Sequence, residues 1–264
     1  MRWSASVAAQ WRMCVVAFAW DTHPRWRLVL AGNRDEFHAR PTAALARWPA
    51  SGLIAGRDLQ SGGTWVGLDG GGRVAVVTNV RDGLAQPHDG PSRGALPLAL
   101  LGSRADAVTT ARALQARAAD YAPFNLMLAD TVGCWHVGNH PPQREPLAAG
   151  VHGISNGRLD APWPKTLHLR AALGRWLESG SDALQPLWDA LADERMAPDH
   201  ALPDTGVGIE LERRLSPAFI RGPAYGTRAS TIIAVDHQGR GFIHERRFGP
   251  EGVFEGETVV GNDV

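Results

Sequence analysis

The sequence predicts an α+β fold in which antiparallel sheets pack between layers of helices. Segments of strand type cluster at both ends of the chain, and segments with helical spacing occupy its middle. Short turns rich in Gly, Asp and Pro join consecutive strands, which favours hairpins and therefore antiparallel pairing. At 264 residues, the chain has the size of one large domain.

The first part of the chain is predicted to form strands. Residues 14–20 and 27–32 are apolar runs, and the link Asp21-Thr22-His23-Pro24 between them is typical of a turn. Further strand-type segments follow at 52–56, 64–68 and 74–80. The last of these comes after Gly70-Gly71-Gly72, which allows adjacent strands to be joined tightly.

The middle of the chain changes to helical spacing. Ser92 is predicted to cap a helix over 95–101, and Ser103 or Asp106 begins a second helix that ends near Ala119. Later helices are expected at 164–178 and 182–191, with a loop at 196–208. The predicted strands of the middle and the end are 124–129, 134–137, 153–155, 217–220, 230–235 and 241–248.

Composition excludes several functional classes. Lys plus Arg and Asp plus Glu number 27 each, so no basic surface indicates nucleic acid or an anionic membrane as a partner. No apolar stretch reaches the roughly 18–20 residues that a membrane span needs. Two cysteines, Cys14 and Cys134, form no disulfide framework and indicate a reducing, cytoplasmic compartment. The single lysine among many arginines, with abundant Ala and Gly, is typical of a GC-rich bacterial genome.

Met13-Cys14 is the most informative feature. If translation begins at Met13, removal of that methionine leaves a cysteine with a thiol nucleophile and an α-amine whose unperturbed pKa is about 7.7–8.0. A nucleophile paired with its own terminal amine is a recurrent arrangement in acyl transfer. The alternative is an ordinary buried strand cysteine, because free cysteines are among the most buried residues.

Residues 1–12 decide between these interpretations. They show no strand alternation and only a weak helical stripe, and Gln10 and Arg12 interrupt any signal-peptide core. We therefore expect 1–12 to be a mis-annotated extension and 13–264 to be the single domain.

Polar residues follow several predicted strands. Arg34 and Asp35 lie in Asn33-Arg34-Asp35-Glu36, at the end of the second strand. This segment is either a charged network that positions a nucleophile or a substrate carboxylate, or a solvated turn. Asn79 ends another strand and is either an oxyanion donor or a turn residue, and Asn156 has the same two interpretations. Arg228 precedes the last hairpin, where it binds a carboxylate, lowers the pKa of the thiol, or lies exposed in a turn.

These blocks together resemble the NRDE family, also called the transport-and-Golgi-organisation-2-like family. The resemblance runs in order from residue 13 to about 245. Its motifs are Met13-Cys14, Asn33-Arg34-Asp35-Glu36, Arg40-Pro41-Thr42, Gly62-Gly63-Thr64-Trp65-Val66-Gly67, Thr78-Asn79-Val80-Arg81, Ser92-Arg93-Gly94, Phe124-Asn125-Leu126, Ser155-Asn156, Pro162-Trp163-Pro164-Lys165 and Tyr225-Gly226-Thr227-Arg228.

The family is similar to N-terminal-nucleophile hydrolases, and the resemblance implies their four-layer αββα sandwich. Within that group it is closest in pattern to the conjugated-bile-acid and penicillin-V acylases. The catalytic residues implied in this chain are Cys14, Arg34, Asp35, Asn79, Asn156 and Arg228. The adjacency of Arg34 and Asp35 departs from the acylase spacing.

Two functional hypotheses follow. The first is a cysteine amidohydrolase that cleaves a linear C–N amide bond of a small-molecule substrate and needs no cofactor. The second is a non-catalytic protein of haem trafficking or lipid homeostasis, since the family is linked to both, with haem or a similar flat ligand as its cargo. Ten tryptophans and ten histidines make the second physically feasible. The histidines have no metal-ligand spacing, so no metal site built from protein side chains alone is expected.

Overall fold

Two antiparallel sheets form the centre of the structure, a computed structural model that describes residues 13–83 and 88–262. The expected extension at 1–12 lies outside the described residues. The six-stranded sheet contains, in spatial order, β10 (Gly150–Ile154), β1 (Met13–Trp20), β2 (Trp26–Phe37), β11 (Tyr225–Asp236), β12 (Gly241–Phe248) and β13 (Phe254–Gly261). The seven-stranded sheet contains β3 (Thr42–Arg47), β4 (Ile54–Asp58), β5 (Val66–Leu68), β6 (Val74–Asn79), β7 (Phe124–Ala129), β8 (Cys134–Asn139) and β9 (Pro142–Pro146).

Helices cover the outer face of each sheet. Those of the described residues are α1 (Leu96–Leu101), α2 (Ala107–Ala116), α3 (Pro164–Ser179), α4 (Gln185–Leu191) and α5 (Ile209–Arg214). One apolar cluster joins the six-stranded sheet to α3 and α4, and another joins the seven-stranded sheet to α1 and α2. A third cluster, which includes Phe18, Ile54 and Met127, lies between the sheets. The predicted four-layer α+β sandwich is therefore confirmed.

The continuous apolar run of β1 has a simple cause. Val15 and Ala17 pack against the helices, whereas Val16 and Phe18 face the second sheet. A strand covered on both faces loses the usual apolar–polar alternation. None of the helices among the described residues is long and apolar enough to cross a membrane.

Several predicted elements need correction. The segment 217–220 is not a strand: Pro217 has no N–H to donate to a ladder, and Ile220 N–H donates instead to Thr227 Oγ1 at 2.9 Å. The helix predicted from residue 182 begins at Gln185. The loop at 196–208 is confirmed apart from a short 3₁₀ turn at Asp199–Ala201. The elements that the sequence did not predict are β3, β9, β13 and α5.

The most consequential correction concerns β2. It continues to Phe37, so the polar segment Asn33–Glu36 lies inside a strand rather than in a terminal turn. Asn33, Asp35 and Glu36 are buried. The interpretation of this segment as a solvated turn is therefore wrong.

Candidate active site

The beginning of β1 and the end of β2 form the framework of the site. Cys14 pairs with Arg34 and Met13 with Asp35 in the antiparallel register. Because side chains alternate along a strand, Arg34 points between the sheets, whereas Asn33 and Asp35 point towards the helices. Asn33 confirms this direction, since its Nδ2 donates to the carbonyl oxygens of Leu191 and Ala218 on the helix side, at 2.8 and 2.7 Å.

A cavity of about 230 Å³ opens between the sheets at this point. Five of the six predicted residues line it: Cys14, Arg34, Asp35, Asn79 and Arg228. Its wall also includes Trp65, the segment 92–94, and the charged side chains of Glu245 and Arg247. The sheets thus bring together polar groups that are separated by up to 214 positions in the chain (228 − 14).

The Cys14 thiol is not activated in the chain as described. Cys14 is 6% exposed, and burial raises the pKa of its thiol to about 12. Of the nearby charges, that of Asp35 contributes to this rise, and that of Arg34 opposes it. Cys14 is also joined to Met13 by a peptide bond inside β1, so its nitrogen is an amide and no general base.

Arg228 lies in a bulge of β11, between Thr227 and Ala229. Its Nη1 donates to the carbonyl oxygen of Arg40 at 2.5 Å. Burial and the neighbouring Arg34 charge lower the pKa of its guanidinium. Arg228 therefore fixes the β2–β3 connection against the cavity. Arg34 is the neighbouring arginine whose charge lowers the pKa of the thiol, and the catalytic role of Arg228 stays a prediction.

The carboxyl group of Asp35 lies behind the thiol, on the helix side of the sheet. Its Oδ1 accepts a hydrogen bond from Thr227 Oγ1 at 2.6 Å, whereas its Oδ2 is buried and has no partner among the described residues. Burial raises the pKa of this carboxyl to about 6, although the charge of Lys165 lowers it. Burying a carboxylate oxygen without a hydrogen-bond donor costs folding free energy. A donor is therefore expected to bind Asp35 Oδ2.

Asn156 lies outside the cavity wall and connects two strand ends. Its Nδ2 donates to the carbonyl oxygen of Asn79 at 3.0 Å, and its own carbonyl oxygen accepts from the Arg81 N–H at 2.7 Å. The adjacent Ser155 Oγ donates to the Cys14 carbonyl oxygen at 2.9 Å. Asn156 and Ser155 together therefore fix Asn79 relative to Cys14, and the catalytic role of Asn156 stays a prediction.

Met13 occupies an apolar pocket on the helix side. It is buried against Leu215 and Ile220, and its Sδ lies 3.7 Å from Arg81 Nη1. Lys165 Nζ donates to the Leu215 carbonyl oxygen at 2.9 Å, so the lysine lies beside this pocket.

Sequence reasoning gave no role to Thr227, Ser155 or Lys165. All three belong to the motifs that carry the family resemblance, and Thr227 and Ser155 also stand next to a predicted site residue in the chain. Lys165 has a second signal, because it is the chain's single lysine and follows Pro162-Trp163-Pro164.

Comparisons with known proteins place this fold in a family. The model of the family Transport and Golgi organisation 2 matches residues 13–250. The chain belongs to that family. The match covers most of the chain and confirms the resemblance drawn from the motifs.

Curated members of the Transport and Golgi organisation 2 family match over nearly their full length. The chain is 35% identical over 263 residues to Transport and Golgi organization protein 2 homolog of Bos taurus, covering 89% of this chain and 92% of that protein. It is 32% identical over 260 residues to the Homo sapiens homolog, with the same coverage. It is 27% identical over 269 residues to the Drosophila melanogaster protein, covering 90% and 93%. These relatives are animal proteins, so the bacterial origin stays a prediction.

Proposed function

We propose that this chain is an N-terminal-cysteine hydrolase that cleaves a linear amide bond of a small molecule, in the manner of N-terminal-nucleophile hydrolases. The observation that carries the proposal is the position of the Asp35 carboxyl group behind Cys14. The thiol lines the cavity, while Asp35 Oδ2, buried and without a partner among the described residues, lies behind the start of the same strand. An α-amine at Cys14 would supply the missing donor.

This function requires a mature chain that begins at Cys14, with 13–264 as the translated domain. Release of Met13 converts the Cys14 amide into an amine, which is a base of suitable strength near neutral pH. When that amine takes the thiol proton, the new ammonium lies next to the sulfur and lowers the thiol pKa. The start of the family match at residue 13 supports this start site.

The reaction proceeds through a thioester. The Cys14 thiol proton moves to the α-amine while Sγ forms a bond to the amide carbonyl carbon, and the Asn79 amide donates to the oxyanion. The ammonium then gives its proton to the leaving nitrogen as the C–N bond breaks. A water molecule, activated by the amine, attacks the thioester, which releases the carboxylic acid and restores the thiol. Asp35 holds the amine, and Arg34 stabilises the thiolate.

The size of the cavity limits the substrate. Its volume of about 230 Å³ is below the roughly 300–1,000 Å³ of pockets that enclose a drug-sized ligand. The cavity therefore encloses the scissile amide and a short part of the acyl or amine portion, and the rest of a larger substrate lies outside.

A panel of small N-acyl amino acids and N-acyl amines tests the proposal. The form that starts at Cys14 is compared with its Cys14→Ala and Cys14→Ser variants, and Cys134→Ser is the matched control because Cys134 is buried away from the cavity. We expect amine release from at least one class of amide that disappears in Cys14→Ala and is retained in Cys134→Ser. Amine release that survives Cys14→Ala would refute the proposal.

Haem carriage remains the alternative prediction, but this cavity fits haem poorly. Its volume is small for a macrocycle, and among the described residues that line it, Cys14 is the one whose side chain is of a type that commonly binds haem iron. No group of three His, Cys, Asp or Glu side chains in the described ranges is arranged to hold a metal ion. Spectroscopic titration with hemin tests binding elsewhere: a saturating Soret shift that persists in Cys14→Ala would support a separate haem site.

The cellular compartment is part of the proposal. Both cysteines are free thiols in the structure, which supports a reducing compartment such as the cytoplasm. Fractionation of the native cells tests this location.

A further inference from the structure

Lys165 is the only lysine of the chain, and it is buried. It stands in the first turn of α3, directly after Trp163 and Pro164. The hydrogen-bond acceptor found for its Nζ within the described residues is the Leu215 carbonyl oxygen, at 2.9 Å. A buried ammonium is costly unless opposite charges compensate it. Lys165 is therefore expected to interact with opposite charges in the interior.

Charged groups from four parts of the chain act on Lys165. Burial lowers the pKa of its ammonium to about 8, and the charges of Asp35 on β2 and Cys14 on β1 raise it. Arg81, after β6, lowers this pKa, and Glu212 of α5 raises it. Arg81 and Glu212 form a buried ion pair with each other, and their charges act on the lysine in opposite directions. The charge of Lys165 in turn lowers the pKa of the Asp35 carboxyl.

The geometry places these groups at one point of the fold. Lys165 is held by Leu215, which packs on Met13, and Met13 lies opposite Asp35 in the sheet. The buried Tyr225 hydroxyl faces the same groups from β11, and the charges of Asp35 and Cys14 act on it. Lys165 and the Asp35 carboxyl group therefore lie on the helix side of β1, the strand that contains Cys14.

We propose that Lys165 is a positioning residue for the N-terminal nucleophile: its buried ammonium keeps Asp35 ionised behind Cys14 and keeps the Cys14 α-amine unprotonated. This inference rests on the proposed function. A cation near an amine disfavours the protonated form, so Lys165 lowers the pKa of the α-amine and opposes the effect of the Asp35 carboxylate. An amine that is unprotonated near neutral pH is able to accept the thiol proton.

The first experiment measures the lysine directly. A single lysine gives one side-chain signal in protein labelled with [ε-¹³C]lysine, and its chemical shift reports the charge of Nζ. We expect a titration midpoint near 8, and a lower midpoint in Asp35→Asn, because the carboxylate raises the pKa of the lysine. A midpoint near the ordinary value of about 10.4, unchanged in Asp35→Asn, would overturn the proposal. This measurement needs no substrate.

The second experiment measures the nucleophile. Iodoacetamide alkylation of Cys14 is followed against pH, by peptide mapping, in the form that starts at Cys14. We expect Lys165→Met to move the alkylation profile upward by about one pH unit, which is about a tenfold loss of rate on its acid limb. Lys165→Arg keeps the charge and restores the profile to within about twofold.

Controls separate the proposal from a folding defect and from the proposed function. Arg175→Met removes an exposed cation from the same helix and should leave the profile unchanged. An unchanged profile in folded Lys165→Met, judged by circular dichroism, would overturn the proposal. If the lysine titration and the shifted profile are both found but no amide is cleaved, the hydrolase function fails and the positioning role stands.

Discussion

Release of Met13 should accelerate alkylation of Cys14. In the full chain, burial raises the pKa of the Cys14 thiol to about 12, and the preceding amide provides no compensating charge. An ammonium about 4 Å from the sulfur is worth about 4 kcal/mol at an effective dielectric constant of about 20. That energy corresponds to roughly 3 pKa units.

The rate change is smaller than the change in thiolate population. A fall of roughly 3 pKa units increases the thiolate fraction at pH 7.5 about 10³-fold, but nucleophilicity falls with pKa at a slope of about 0.4–0.5. The expected acceleration of iodoacetamide alkylation is therefore about 30- to 60-fold.

The assay compares the 264-residue chain with the form that starts at Cys14, by peptide mapping at pH 7.5. Cys134 is the internal reference, because burial raises the pKa of its thiol in both forms. We expect Cys14 to be labelled before Cys134 in the shorter form. Equal Cys14 rates in the two forms, or preferential labelling of Cys134, would refute the reasoning.

Three further predictions concern the supports of the site. Thr227→Val removes the hydrogen bond to Asp35 Oδ1, and we expect a loss of about 1–3 kcal/mol in the free energy of unfolding, measured with urea, whereas a neutral effect would contradict the buried contact. Burial raises the Asp35 pKa from 3.8 to about 6, so the folded state binds this proton more tightly than the unfolded state does. The protonated carboxyl therefore contributes to the free energy of unfolding below pH 3.8, and this contribution is lost as the pH rises through 6. Asp35→Asn should therefore gain up to about 3 kcal/mol relative to the parent protein between pH 4 and 7, and a pH-independent difference would count against the shift. Glu212→Gln breaks the buried ion pair with Arg81 and should lower the free energy of unfolding by about 3–5 kcal/mol. The control, Glu210→Gln, breaks an exposed ion pair with Arg213 and should lower it by less than about 1 kcal/mol. Equal losses in the two variants would show that burial is not the cause.

The interior strands could be predicted from the sequence, and several edge strands could not. The prediction for β7 matches at Phe124–Ala129 because a buried strand requires an apolar run bounded by turns. The strands β3, β9 and β13 lie at sheet edges, where exposed residues alternate without an apolar run. Pro142 and Pro146, at the two ends of β9, further conceal a strand in the sequence.

The polar end of β2 could not be predicted because its partners are distant in sequence. Asn33 resembles a turn residue, yet the backbone at Leu191 and Ala218 provides the acceptors that make its burial possible. The motif resemblance indicated which residues line the cavity, but not that Asp35 and Arg34 face opposite sides of the sheet. That division follows from strand alternation once the length of β2 is known.

The measurement that tests the central claim most directly is the intact mass of the protein isolated from its native cells, with N-terminal sequencing. The account predicts a chain whose first residue is Cys14, with a free α-amine. A native chain that retains Met13 would leave Cys14 without its base and would contradict the account.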